Sequence, residues 1–181
     1  MVITIDGLAG AGKSTVAQLV ADRLGYRYLD TGAIYRALTL AVLLDDADPL
    51  EVARSGAWRR YRDDERLRSP AVDDAVSAIA RTPAIRDALR GAQQAFLAAG
   101  DAVAEGRDIG EVVWPQAELK VWLEADPYER ARRRGSEHAL VRDRRDAEQT
   151  RVPVDALVVD TTGLTIDEVV DRILELFEER R

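Results

Sequence analysis

Apolar and polar residues are arranged in this chain in short blocks whose period changes from one block to the next. Val2-Ile3-Thr4-Ile5 is a β-branched run closed by Asp6, of the kind buried on both faces of a parallel sheet. After a glycine-rich turn, Val16, Leu19, Val20 and Leu24 recur at the spacing of one helix face, predicting a helix over Lys13–Leu24 with Gly25 as its stop. Residues 26–29 read as a second strand and 31–44 as a helix. Two or three polar helices are predicted to fill 49–99. Short strands follow at 102–104, 119–123 and 156–159, and an amphipathic helix over 165–177 closes the pattern. There Thr165 stands ahead of an acidic first turn, Asp167 and Glu168. Five strands alternating with helices predict an α/β fold with a central parallel sheet and right-handed crossovers.

A length of 181 residues fits one domain with room for a substantial core. There is no cysteine, which excludes disulfides, thiolate metal sites and cysteine nucleophiles. The initial apolar run is too short for a signal peptide or a membrane span, so a cytoplasmic protein with no membrane partner is expected. A net charge of -7 argues against a general nucleic-acid binder. One segment opposes that sign: 129–151 carries Arg130, Arg132, Arg133, Arg134, Arg142, Arg144, Arg145 and Arg151 against five acids. Such a stretch is a local anion trap on an acidic body. Of the basic residues only Lys13 and Lys120 are lysines, and Lys13 stands where lysine chemistry is most useful.

That place is Gly7-Leu8-Ala9-Gly10-Ala11-Gly12-Lys13-Ser14-Thr15, which contains G-x-x-x-x-G-K-[ST] from Gly7 to Ser14. A strand precedes it and a helix follows, the setting that the motif requires. Glycines let backbone N–H groups converge on an anion, and the new helix adds its positive end. Lys13 can reach the β and γ phosphates and the Ser14 hydroxyl can ligate Mg²⁺, so the loop predicts a nucleoside triphosphate. A guanine-reading Asn-Lys-x-Asp is excluded because the chain has no asparagine. Small size and clustered arginines fit a phosphoryl transferase.

Further segments resemble the bacterial cytidylate kinases, a family of nucleoside monophosphate kinases. They are Leu29-Asp30-Thr31-Gly32-Ala33-Ile34-Tyr35-Arg36, Val76-Ser77-Ala78-Ile79-Ala80 leading into Pro83-Ala84-Ile85-Arg86, Gly106-Arg107-Asp108-Ile109-Gly110, Glu129-Arg130-Ala131 with Arg133-Arg134, and Arg142-Asp143-Arg144-Arg145-Asp146. They occur in the family's order and cover most of the chain. The resemblance implies a P-loop kinase: a three-layer sandwich around a parallel five-stranded sheet, with a short helical insert for the monophosphate and a short arginine-rich lid. As one domain over 1–181, the core would be 1–44, 100–125 and 152–181, the insert about 45–99 and the lid about 126–151. The implied activity is ATP-dependent phosphorylation of CMP or dCMP with Mg²⁺; separately, the surface charge allows a monomer, the expected state.

By the same resemblance Tyr35, Arg36 and Arg107 face the monophosphate, and a guanidinium fork suits a phosphate bidentately. Ser77, Arg86 and Asp108 resemble the cytosine readers; a carboxylate, a hydroxyl and an arginine complement that base's donor and acceptors. Arg142 and Asp146 resemble lid positions on the phosphates and ribose, and Arg130 and Arg134 those that cover ATP. Asp30 has a simpler use as a helix cap. Glu105 stands where the family has aspartate and is expected to hold a water on the metal ion. The chain departs from the family in length, mainly between residues 44 and 67, in Gln149 where an arginine is expected, and in Gln94 where a basic residue is usual. A small P-loop kinase for a non-nucleotide acceptor such as shikimate or dephospho-coenzyme A, and a non-catalytic nucleotide binder, remain as alternatives.

Overall fold

The computed structural model describes residues 1–134, 150 and 152–180. The chain forms two compact units, Met1–Leu29 with Phe96–Arg181, and Asp30–Ala95.

The first unit is built on strands β1 (Val2–Gly7), β2 (Arg27–Asp30), β3 (Ala102–Gly106), β4 (Leu119–Glu124) and β5 (Leu157–Asp160). They lie side by side in the order β2-β3-β1-β4-β5, all parallel. All six residues of β1 are buried, as its β-branched run predicts. Ile3 and Ile5 face a cluster with Val16, Val20 and Ala21 of α1 (Lys13–Leu24) and Val170, Ile173 and Phe177 of the last helix, Ile166–Glu178. Val2 faces the other side, among Leu97, Ala102, Ala104, Ile109 and Val113. Fully burying each of the valine, leucine, isoleucine and phenylalanine side chains among these is worth about 1.5–3 kcal/mol.

Strand β2 begins one residue later than its sequence suggests. The Tyr26 N–H closes the C-terminal cap of α1 on the Ala21 carbonyl at 2.9 Å, around Gly25 in the left-handed conformation, so that residue belongs to the helix end. Similarly Ala156 donates to the Pro153 carbonyl at 3.0 Å and stays outside β5. The final helix starts from Thr165, whose hydroxyl and the Glu168 carboxylate form a capping box. A one-turn π-helix at Ile109–Val113, directly after β3, has no counterpart in the periodicity of the sequence.

The second unit holds α2 (Thr31–Asp45), α3 (Pro49–Ser55), α4 (Pro70–Ala80) and most of α5 (Pro83–Ala98), with single 3-10 turns at Ala57–Tyr61 and Glu65–Arg68. Asp30 caps α2 by accepting from the Ala33 N–H at 2.8 Å, and Asp48 caps α3 by accepting from Glu51 at 2.8 Å. Asp45 ties the first 3-10 turn to the end of α2 by accepting from Arg60 at 2.6 Å and from the Tyr61 hydroxyl at 2.8 Å. Among the described residues no helix is long and apolar enough to cross a membrane.

Candidate functional site

The glycine-rich loop leaves the C-terminal end of the central strand, where ligands of open parallel sheets bind. Two close approaches explain its glycines. A Cβ at Gly7 would overlap the carbonyl oxygen of Leu123, its partner across β4. At Gly10, with φ +79°, a Cβ would lie 2.7 Å from the carbonyl oxygen of Arg130. Gly12 takes φ 93° immediately ahead of α1, whose first turn has no acidic residue and no side-chain cap. Its N–H groups are therefore available to an anion. Lys13 donates to the Leu8 carbonyl at 2.9 Å, which folds the lysine over the loop.

Helix α6 (Pro127–Arg134) packs against the loop through Arg130. Arg130 is buried, its Nη1 donating to the Ala9 carbonyl at 3.2 Å and its Nε to Ala125 at 3.1 Å. Arg133 donates to the hydroxyl and carbonyl of Thr161 at 3.0 and 2.8 Å, and the same hydroxyl reaches the Ala11 carbonyl at 3.4 Å. Glu129 accepts from Arg132 and Arg133, which hold its carboxyl below the usual carboxylate range. This bracing by Arg133 and Thr161 has no motif of its own. Arg134 ends α6; Arg142, Asp146 and Gln149 lie outside the described residues.

Opposite the start of α1, the Ser14 hydroxyl donates to Glu105 Oε1 at 2.5 Å, and the Tyr28 hydroxyl reaches the same oxygen at 3.4 Å. Glu105 is the penultimate residue of β3 and is buried. A hydroxyl and a carboxylate beside a phosphate cradle are the hard oxygen donors that Mg²⁺ prefers, so these residues fit the ion that the sequence motif implies. Thr15 is exposed.

The segment after β3 curls back to the loop. Arg107 Nη1 donates to the Gly7 carbonyl at 3.3 Å, and Asp108 is buried beside it. The next two N–H groups, of Ile109 and Gly110, donate to Asp6 Oδ1 and Oδ2 at 2.9 and 2.8 Å. Asp6 thus connects the strand feeding the phosphate loop with the segment carrying Arg107 and Asp108. Burial pushes its carboxyl up to about 6; the nearby Asp108 charge adds to this, while the two N–H bonds and Lys13 oppose it. Asp6 belongs to no motif in the sequence. Its signal was a lone acid ending an otherwise apolar strand, where an unpaired charge is costly.

The remaining residues expected on the acceptor side belong to the second unit. Tyr35 and Arg36 lie on α2, Ser77 on α4 and Arg86 on α5. Arg36 Nη1 donates to the Leu67 carbonyl at 3.0 Å and forms an ion pair with Asp73 Oδ1 at 2.7 Å. Ser77 is buried in mid-helix, and Arg86 reaches the Ala80 carbonyl at 3.5 Å.

Residues 3–179 match the family model described as cytidylate kinase. A cytidylate kinase of Geobacillus sp. (strain WCH70) is 39% identical over 216 aligned positions, covering 98% of this chain and 96% of that protein. The cytidylate kinase of Symbiobacterium thermophilum is 42% identical, with 96% and 94% covered. Because 216 aligned positions draw on 98% of a 181-residue chain, roughly forty positions of the Geobacillus relative have no counterpart here. Among solved structures, the shikimate kinase of Aquifex aeolicus superposes with a TM-score of 0.56 at 16% identity over 99% of this chain and 97% of that one, a likeness of fold alone.

Proposed function

This chain belongs to the cytidylate kinase family, and on that premise we propose that it transfers the γ-phosphoryl group of ATP to CMP or dCMP. The observation that carries the site assignment is the bond from Arg107 to the Gly7 carbonyl. It sets a guanidinium, with Asp108 next to it, at the mouth of a loop shaped for phosphates.

The chemistry follows from those groups. The loop from Gly7 through Thr15 (Gly7, Leu8, Ala9, Gly10, Ala11, Gly12, Lys13, Ser14, Thr15) binds the triphosphate of ATP through backbone N–H groups, with Lys13 reaching the outer phosphates. Ser14, with Glu105 bonded to it, would hold Mg²⁺, which would supply positive charge to the phosphates. Tyr35, Arg36 and Arg107 bind the acceptor phosphate, and Ser77, Arg86 and Asp108 read cytosine. An acceptor phosphate oxygen attacks the γ phosphorus in line; the bond to the β–γ bridging oxygen breaks and ADP leaves. A phosphate oxygen is already ionised at neutral pH, so no protein base takes part. Lys13 and Arg107, with Arg134 and Arg142 from the basic segment, stabilise the negative charge spread over the transferring group, while Arg130 holds the loop through the Ala9 carbonyl. Asp146 is assigned to the ribose.

The test is a coupled ADP-release assay with Mg-ATP and CMP, dCMP, UMP, AMP or shikimate offered separately. Turnover with CMP or dCMP well above the others is expected, and Asp108→Ala should abolish the preference. Shikimate or AMP as the best acceptor overturns the reading, as does ATP binding without turnover for any acceptor.

A further inference from the structure

Arg36 and Asp73 stand 37 positions apart in the sequence, and α2 and α4 bring them together in the second unit. The Arg36 side chain is only 11% exposed, whereas that of Asp73 is 38% exposed. A guanidinium cannot shed its proton to escape burial, so it must be met by acceptors. Both partners, the Leu67 carbonyl by a hydrogen bond and the Asp73 carboxylate by an ion pair, engage the same nitrogen, Nη1. Because the guanidinium is planar and rigid, fixing Nη1 from two directions fixes the plane of the whole fork. The edge formed by Nε and Nη2, which a phosphate engages bidentately, is left for a ligand. Asp73 is itself well placed to stay in position: it lies in the first turn of α4, at the positive end of the helix.

We propose that Asp73 is a positioning residue for the acceptor phosphate, holding Arg36 through Nη1 so that the opposite edge of its guanidinium is presented to the monophosphate. The inference rests on the assignment of Arg36 to that phosphate. Asp73 touches no substrate; it acts through the arginine. Its half-exposed charge is screened by solvent, so what it contributes to Arg36 by orientation outweighs what it takes from the phosphate by repulsion.

Steady-state kinetics of the full chain test this. Asp73→Asn removes the charge at constant shape and is expected to raise the KM for CMP about tenfold, the equivalent of losing one charge-assisted hydrogen bond. The kcat and the KM for ATP should stay within about twofold, and Asp73→Glu should recover most of the affinity. Arg36→Ala should raise the KM for CMP further, and adding Asp73→Asn to it should change nothing more. If Arg36→Ala is effective while Asp73→Asn leaves the KM for CMP unchanged or lowers it, the positioning role is overturned and the assignment of Arg36 stands. If Arg36→Ala leaves that KM unchanged, the assignment falls and the proposal with it. A fall in melting temperature with kcat and both KM values altered alike would mean that Asp73 is structural only, and this too overturns the proposal.

Discussion

Asp6→Asn isolates the energetics of the carboxylate beneath the two loops. In the folded chain the Asp6 carboxyl lies at about 6, against 3.8 for the ordinary group, chiefly because it is buried. An acid whose folded-state pKa is raised favours folding most when it is protonated, below pH about 4. That contribution disappears as the pH rises through about 6, where the folded chain must hold a buried charge. A shift of roughly two units corresponds to about 3 kcal/mol. Asparagine has the same shape and cannot ionise, so the variant lacks this dependence. It also replaces one carboxylate oxygen, facing either the Ile109 or the Gly110 N–H, by an NH₂ group, at a cost of about 1–3 kcal/mol that does not vary with pH. Carboxylates held low by their partners, such as Asp155 beside Lys120 and Asp160 beside Thr162, give the opposite trend in both proteins and cancel in the difference. Urea unfolding, followed by fluorescence of the three tryptophans, is to be measured between pH 4 and 7.5. The unfolding free energy of the parent minus that of the variant should fall by about 2.4 kcal/mol across this range, with its midpoint between pH 4 and 6. A difference independent of pH refutes the reasoning, since Asp6 would then be as well solvated folded as unfolded.

Gly10→Ala places a Cβ 2.7 Å from the Arg130 carbonyl oxygen at φ +79°, so ATP affinity measured by calorimetry should fall at least tenfold while the fold, read by circular dichroism, persists. The Thr4 hydroxyl is buried without a hydrogen-bond partner among the described residues, and Thr4→Val should raise stability by about 1 kcal/mol in urea unfolding; destabilisation would mean that the hydroxyl is satisfied in solution. Asp30→Ala removes the cap of α2 and should cost about 1 kcal/mol of stability, whereas loss of turnover beyond that expected from unfolding would give Asp30 a chemical role.

What the sequence by itself determined is what nearest neighbours encode. The β-branched run at Val2–Ile5 and the spacing of Val16, Val20 and Leu24 produced β1 and α1 as read, because burial on two faces or one leaves a period in the chain. The span Gly7–Ser14 announced its chemistry for a similar reason: the cradle is made of consecutive backbone N–H groups, so its residues must be contiguous. The motif segments containing Arg36, Ser77, Arg86 and Arg107-Asp108 were legible through their resemblance to a family, though not what each of them touches. Only the tertiary structure decided those contacts. Ser14 meets Glu105 across 91 positions, and Asp6 meets Ile109 across 103, because β3 inserts beside β1 in the order β2-β3-β1-β4-β5. Strand order comes from how the crossovers pack, which no local period records. The same holds for Arg130, read in the sequence as part of a basic segment and found buried against the Ala9 carbonyl. A charge run describes composition, and which arginine turns inward depends on the surface that its helix is packed against.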